Sequence, residues 1–444
     1  MGDTVAAQVR GRLDSNRLDA DRLHHVALLL PSLAGGGVAR VALNLAESLL
    51  RHGHRVDLVL CDGEGAYRDQ LPPGLRRVLL RRGIPVIPRG LAFAANPGSW
   101  RELALPVLLP LRGAPALAGL GDLVRYLRRN RPDALIAAKT HTNLVAIWAR
   151  QLAGVPTRLL VSQHSMLSEE IAGPEVRKWR WRHAAGLVAR TYPLADAIVA
   201  VSDAAADDLA TTSGVPRRRI ATVHNPVDAR RIAERLREPI THPWFAEGMP
   251  PVVLGAGRLR ASKDFQTLLR AFAEVRRARP ARLVVLGEGP ERAALAAEAR
   301  RLGVCEDVWM PGFVDNPFAY MARAGVFVLS SRHEALGNVL VEALACGCPV
   351  VATNCPGGVG EILKGGAVGG LVPVGDPAAL AGAILAALDR PGDRERRLRR
   401  ADDFCPDRAA HRYLAALGLA LCAEADADPA VAAPGAGIPR TSAL

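Results

Sequence analysis

His25-Val-Ala-Leu-Leu-Leu-Pro31, running into Ala34-Gly-Gly-Gly37, is the stretch on which the fold turns. An unbroken apolar run of this length reads as a strand buried on both faces, and a glycine cluster directly behind it as a tight turn into a helix. Residues 38–52 carry a helical pattern, and Gly53 stands where a helix C′ glycine belongs. A second strand follows at 55–61, and others are expected at 132–138, 158–162 and 196–202, with helical patterns between them. After Asn225-Pro-Val-Asp228 comes Glu238-Pro-Ile-Thr-His-Pro243, a linker composition. The pattern then restarts: strands at 251–257, 281–287, 308–310, 326–330 and 349–353, helices at 263–279, 291–302 and 338–346. Alternating strands and helices imply parallel sheets, so two doubly wound α/β domains in series are the economical reading. The expected divisions are a disordered tail (1–23), an N-terminal domain (24–230), a linker (231–250), a C-terminal domain (251–400), a helix at 401–422 packing back toward the N-terminal domain, and a disordered tail (423–444). In such sheets ligands bind at the carboxyl ends of the strands, so chemistry is expected in the strand-to-helix loops.

Composition narrows the classes. The 444 residues are 49% hydrophobic and 23% charged, a globular balance, and no run approaches the roughly 20 apolar residues of a membrane span. The first 21 residues have no apolar stretch of the secretory type, so a cytoplasmic location is expected. Seven cysteines, irregularly spaced, fit buried free thiols rather than a zinc ribbon or a disulfide framework. The acidic pairs Asp19-x-Asp21 and Asp426-x-Asp428 sit in tails without a strand, and no metal site is expected from them. The net charge of +13 is uneven: residues 24–230 hold 27 basic and 16 acidic side chains, a surplus of 11. That surplus suits a polyanionic partner. Lysines number only four (Lys139, Lys178, Lys263, Lys364), so each merits attention.

The loops carry the candidates. Gly35, Gly36 and Gly37 can turn backbone N–H groups toward a phosphate at a helix N-terminus, or can simply make the turn tight. In Gly257-Arg258-Leu-Arg-Ala-Ser-Lys263, Arg258 ends a strand and Lys263 opens a helix behind Ser262, an expected N-cap. Both cations would enter the crevice between domains, where fork and point charge suit a diphosphate. Ser331-Arg-His-Glu334-Ala-Leu-Gly337-Asn338 ends another strand, and Glu342 follows on the helix face. Carboxylates beside a phosphate site make sense as acceptors for ribose and sugar hydroxyls. Cys355-Pro-Gly357-Gly358-Val-Gly360-Glu361 is a further glycine loop on the same edge. His141 and His164 end N-domain strands, where either a structural or a substrate-facing role is open.

Through Glu334-Ala-Leu-Gly-Asn-Val-Leu-Val-Glu342 the chain resembles family 4 of the retaining glycosyltransferases, which have the GT-B fold and a Glu-x7-Glu signature. The resemblance extends in order through Ala34-Gly-Gly-Gly-Val-Ala-Arg40, His224-Asn-Pro-Val-Asp228, Gly257-Arg-Leu with Lys263-Asp-Phe, Leu286-Gly-Glu-Gly-Pro290 and Pro356-Gly-Gly-Val-Gly-Glu361. It covers residue 24 to about residue 390. It implies two Rossmann-like domains facing across a cleft, the first binding the acceptor and the second the nucleotide-sugar. It also implies that Arg258 and Lys263 hold the donor diphosphate, that Glu342 binds ribose, and that Glu334 binds donor-sugar hydroxyls. Gly337, Asn338 and Val339 would give backbone contacts to the donor, with Leu336 beside them in the donor-binding set, Gly36 and Gly37 would face the donor phosphate, and Phe313 and Val314 would flank the base. His164 matches the strand-end histidine near the sugar. With Glu334, Arg258 and Lys263 it forms the expected catalytic set.

The reaction implied is retaining transfer of a hexosyl or N-acetylhexosaminyl group, from a donor expected to be UDP-linked, with no cofactor and no metal needed for chemistry. The acceptor would be a saccharide or a lipid-linked saccharide of cell-envelope polysaccharide, lipopolysaccharide or glycolipid synthesis. Rivals are a GT-B sugar-nucleotide epimerase, a non-catalytic nucleotide-sugar binder and a nucleic-acid binder; 4% aromatics argue against the last. The basic-apolar segments 75–82, 123–131 and 176–182 read as helices with a solvated basic face or as contacts to an anionic membrane, the inner face of the plasma membrane on this reading. Residues 68–129 fit the family pattern poorly, and acceptor recognition is expected to diverge there.

Overall fold

The computed structural model describes residues 22–34, 36–84, 86–108, 115–172 and 183–420. Gly35, the basic segment 176–182 with Lys178, Cys422, both tails and both tail acidic pairs lie outside the described residues. Two parallel sheets carry the fold. The first is built from β1 (His25–Leu30), β2 (Arg55–Leu60), β3 (Arg76–Leu79), β4 (Ala134–Ala138), β5 (Arg158–Gln163), β6 (Ala197–Ala200) and β7 (Ile220–Thr222). Its strand order is β3-β2-β1-β4-β5-β6-β7. The second uses β8 (Val252–Ala256), β9 (Arg282–Leu286), β10 (Val308–Gly312), β11 (Val326–Leu329), β12 (Val350–Thr353) and β13 (Gly370–Val372), in the order β10-β9-β8-β11-β12-β13. Order reverses between β1 and β4 in one sheet and between β8 and β11 in the other. Those two switch points put the loops behind β1, β4, β8 and β11 beside the two crevices.

The principal helices are α1 (Gly37–Arg51), α2 (Val86–Ala95), α3 (Leu120–Asn130), α4 (Thr140–Ala153), α5 (Asp203–Ser213), α6 (Ala229–Arg235), α7 (Phe265–Ala278), α8 (Asn338–Ala345), α9 (Arg394–Asp402) and α10 (Pro406–Ala416). Central strands are buried along nearly their whole length, which is why they read as continuous apolar runs. One cluster of buried side chains includes Leu29 and Ala200 of the first sheet and Leu336 and Leu340 beside the second, so the junction of the domains is itself apolar. α10 packs on α1. Ser48 Oγ donates to Asp407 (2.5 Å), Arg51 pairs with the same carboxylate (2.7 Å), and the Tyr413 and Ser162 hydroxyls meet at 3.1 Å.

Three expectations need correction. Residues 76–79 form an edge strand, not part of a helix: Arg76 anchors it by donating to Asp57 of β2 (2.7 Å), which also accepts from Tyr126 of α3 (2.6 Å) and contacts His25 Nε2 (2.8 Å). These partners hold the fully buried Asp57 carboxyl well below the usual range. The helix expected from 263 begins at Phe265, and its cap is Asp264 rather than Ser262. Asp264 adopts φ 46°, ψ 46°, a left-handed conformation that aspartate tolerates, and its carboxylate accepts from Thr267 N at 3.3 Å. Cys61, Cys346, Cys348 and Cys355 are buried free thiols, but Cys305 is exposed. In addition, the segment read as a linker opens within α6, which packs against α8.

Candidate functional site

On the second sheet the loops behind β8, β9 and β10 are laced together by their backbones. Gly257 N donates to Leu286 O (2.9 Å) and Gly287 N to Gly312 O (2.7 Å). A Cβ on Gly287 would stand 2.0 Å from Gly257 O, so only glycine permits this approach. Arg258 emerges from the edge so formed with its side chain exposed, and it makes no ion pair among the described residues. Phe313 follows β10 and is 72% exposed, a large apolar face standing in solvent. Val314 beside it packs partly onto the core.

Behind β11 the chain passes through buried Ser330 and Ser331 and reaches Glu334, whose backbone pairs with Gly357 in the loop behind β12. A Cβ on Gly357 would fall 1.4 Å from Glu334 O, so the glycine loop exists to let these two backbones touch. Glu334 accepts from Ser331 Oγ (2.7 Å) and is ion-paired with Lys263 Nζ. Lys263 is placed in turn by Ser330 Oγ, which donates to its carbonyl at 2.9 Å. α8 then starts at Asn338 behind Gly337 (φ 98°), and no side chain caps it. Its first N–H groups are therefore available to an anion. Glu342 lies one turn further on, half-buried, where burial pushes its carboxyl up and Arg40 of α1 partly opposes that push. The side chain of Leu336 is in the core at 2% exposure, which leaves its backbone as the part that lies at the loop.

The first sheet supplies the opposing wall. Gly36 has φ 103°, and α1 also begins without a side-chain cap. Gly37 approaches Asn338 closely: a Cβ there would stand 3.2 Å from Asn338 Nδ2. The domains are tied at this point, because Asn225 Nδ2 donates to Asn338 Oδ1 (2.9 Å), Ser202 Oγ to Ala335 O (2.5 Å), and Glu361 joins His224 (3.0 Å) to Ala204 N (3.0 Å). Lys139 follows β4, at the N-cap position of α4, with φ 78°, unusual for a side-chain-bearing residue, and its ammonium is held below its ordinary value chiefly by burial. Glu170 opposes that shift and Arg258, of the other domain, adds to it. Burial and Lys139 together lower His164 to about 4, so its imidazole is neutral near pH 7. Glu170 is raised by burial and accepts from Thr140 Oγ1 (2.5 Å) and from Ser165 Oγ.

The structure thus brings Lys263 and Glu334 together, sets Gly37 against Asn338, and couples Lys139 with both Arg258 and His164. It leaves His141 half-buried in the first turn of α4. Ser331, Ser202, Asn225 and Glu170 are site-forming residues that the sequence reading does not single out. Ser331 and Asn225 stand inside quoted motifs, but a hydroxyl reaching Glu334 three residues on leaves no pattern, and the partners of Ser202, Asn225 and Glu170 include groups far away in the chain. Among the described residues no group of three or more His, Cys, Asp or Glu is placed to hold a metal ion, and no helix is long and apolar enough to cross a membrane.

Two family models match the chain: Glycosyltransferase Family 4 over residues 35–231 and Glycosyl transferases group 1 over residues 250–390. The chain is 28% identical over 356 residues to the N-acetylgalactosamine-N,N'-diacetylbacillosaminyl-diphospho-undecaprenol 4-alpha-N-acetylgalactosaminyltransferase of Campylobacter jejuni, with 79% of this chain and 87% of that protein covered. It is 29% identical over 376 residues to the 2-deoxystreptamine glucosyltransferase of Streptomyces kanamyceticus, covering 78% of this chain and 94% of that protein. Among solved structures, Anabaena Alr3699/HepE in complex with UDP and glucose superposes with a TM-score of 0.70 at 21% identity, over 89% of this chain and 99% of that one. At that identity the likeness speaks for the fold.

Proposed function

The chain belongs to the family 4 glycosyltransferases of GT-B fold, and on that premise we propose that it moves a hexosyl or N-acetylhexosaminyl group from a UDP-sugar to an acceptor hydroxyl with retention of anomeric configuration. One observation carries the reading: Lys263, Glu334 and the uncapped start of α8 meet in one place, facing Gly36 and Gly37 of the other domain. Lys263 and Arg258 would grip the diphosphate and stabilise the charge that develops as it leaves. The first N–H groups of α8 and the N-terminus of α1 would add backbone donors to the same anion. Glu342 would accept from the ribose hydroxyls, Phe313 would cover the base, and Glu334 would accept from hydroxyls of the sugar. His164, kept neutral by its surroundings, is able to donate or accept a hydrogen bond near the sugar without adding charge. On this reading cations and helix ends carry the electrostatic work, and no metal is required.

The UDP-linked donor is supported by the bound ligands named for the structural neighbour. A lipid-linked saccharide acceptor is supported by the diphospho-undecaprenol substrate named for the Campylobacter relative, and a peripheral position on an anionic cytoplasmic leaflet by the basic first domain. A panel of nucleotide sugars screened by thermal stabilisation tests the donor class. Product analysis by NMR then tests the anomeric outcome, and an inverted product or no stabilisation by any nucleotide sugar would refute the reading.

A further inference from the structure

Among the described residues, large apolar side chains in solvent are not scattered evenly. Of the eleven that stand exposed there, five lie between residues 84 and 100: Ile84 (69%), Val86 (74%), Ile87 (55%), Phe93 (44%) and Trp100 (53%). α2 explains most of them. It buries Pro88 and Ala92 against α3 and α4, and turns Val86, Ile87, Gly90, Phe93 and Ala94 outward. That set is i, i+1, i+4, i+7, i+8, one helical face. An ordinary surface helix presents its polar face to water; this one presents its apolar face.

We propose that this outward face of α2, with Ile84 and Trp100 at its ends, docks on an anionic lipid bilayer. The proposal deepens the reading of the chain as a transferase with a lipid-linked acceptor. Three observations favour a bilayer. First, residues 81–101 contain Arg81, Arg82, Arg89 and Arg101 and no acidic residue; although Arg82 is paired with Asp62 (2.8 Å), the segment itself sets only positive side chains beside its apolar stripe, the composition of a helix lying in a headgroup layer. Second, Arg101 stacks over the Trp100 ring at 5.3 Å, a pairing of interfacial aromatic and cation that suits the headgroup region. Third, α2 follows β3, so its first turn lies at the carboxyl edge of the sheet, the edge that carries Gly36 and Lys139. β3 is two strands from β1, about 10 Å at ordinary strand spacing. Docking there would present the crevice to the membrane surface from which a lipid-linked acceptor must come. A second copy of the chain fits less well, because a two-fold contact would set the same arginines against one another.

The test is co-sedimentation of the full chain with vesicles of phosphatidylcholine containing phosphatidylglycerol. The comparison variant carries Val86→Ser, Ile87→Ser and Phe93→Ser, all at exposed positions outside the crevice. The wild-type chain should bind at low salt and keep part of its binding at about 1 M salt, where screening falls to roughly 3 Å but apolar insertion persists. The triple variant should bind about tenfold more weakly or less, and its thermal stabilisation by nucleotide sugar should equal wild type. Failure of the wild-type chain to bind these vesicles at low salt would overturn the proposal, as would equal binding by the triple variant. So would a wild-type dimer that the triple variant abolishes, since the face would then be a protein interface. Absence of nucleotide-sugar stabilisation would refute the transferase reading while leaving the vesicle result to stand by itself.

Discussion

Glu334→Gln should tighten the hold on free UDP while slowing sugar transfer. The Lys263 ammonium is engaged by the Glu334 carboxylate, with the two side chains 25% and 12% exposed. A diphosphate arriving at Lys263 must take that cation from Glu334. A partly exposed pair is worth roughly 0.5–1 kcal/mol, so removing the competing charge should improve UDP affinity by about two- to fivefold. The amide oxygen of Gln can still accept from Ser331 Oγ, now 2.7 Å from Glu334, so the loop keeps its support. Transfer moves the other way. A neutral amide accepts more weakly than a carboxylate from the sugar hydroxyls, and a loss of about 1–2 kcal/mol slows kcat by roughly 5- to 30-fold.

Lys263→Ala serves as the contrast. It removes a charge-assisted contact to the leaving group and should cost about 2–4 kcal/mol of transition-state stabilisation, some 30- to 1000-fold in kcat/KM, while also weakening UDP. Arg258→Ala should fall in the same direction. Calorimetric titration with UDP and initial rates with the nucleotide sugar read the two quantities separately. If Glu334→Gln weakens UDP as much as Lys263→Ala does, the competition argument is wrong. Near-normal kcat/KM in both Lys263→Ala and Arg258→Ala would remove the diphosphate assignment.

Glu342 is held above the ordinary carboxylate range by burial, so it should take up a proton on acidification and accept less well from ribose. Nucleotide affinity should therefore fall as pH drops toward that raised value, be flat over the same range in Glu342→Gln, and lose its preference for ribose over a dideoxyribose analogue in that variant. Gly357→Ala places a methyl group on the Glu334 carbonyl; transfer should be lost with circular dichroism unchanged, and normal rates would show that the loop yields. Asp57 has a folded-state pKa lowered by His25, Arg76 and Tyr126, so its contribution to stability is present above the unfolded value and is lost as pH falls through the folded one. Asp57→Asn should cost about 3 kcal/mol in denaturant melts near neutral pH, a cost that shrinks in acid; a variant as stable as wild type would mean that the cluster is dispensable.

Much of this architecture was legible because parallel strands buried on both faces leave unbroken apolar runs, and because the loops behind them are short and rich in glycine. The Lys263 and Glu334 neighbourhood could be read for the same reason: each stands directly behind a central strand at the switch point. Contacts across the junction could not. Asn225 and Asn338 are 113 residues apart, and Ser202 and Ala335 are 133 apart, distances at which pattern in one segment says nothing of the other. The edge strand β3 was misread because its exposed Arg76 and Arg77 mimic the polar face of a helix, and its strand character depends on Asp57 in the neighbouring strand.

The basic surplus of the first domain shows the same difference at larger scale. Segment 123–131 is one of three whose composition suits either a helix with a solvated basic face or an anionic membrane contact, and in the structure the apolar residues of its helix, Leu120, Leu123, Val124 and Leu127, are buried, as the first alternative requires. Arg128 is occupied there as well, donating to the carbonyls of Leu152 (2.7 Å) and Ala153 (3.3 Å) at the end of α4. It therefore satisfies a helix C-terminus, and neutralising it would weaken the α3–α4 contact whether or not a bilayer were present. Periodicity can announce that a helix has an apolar stripe but not on which side its neighbours stand. For α3 the stripe is covered by α4; for α2 the neighbours take Pro88 and Ala92 and leave the broader stripe outside. Only packing separates the two cases, and it moves the candidate membrane contact from the helix with more arginines to the helix with the uncovered face.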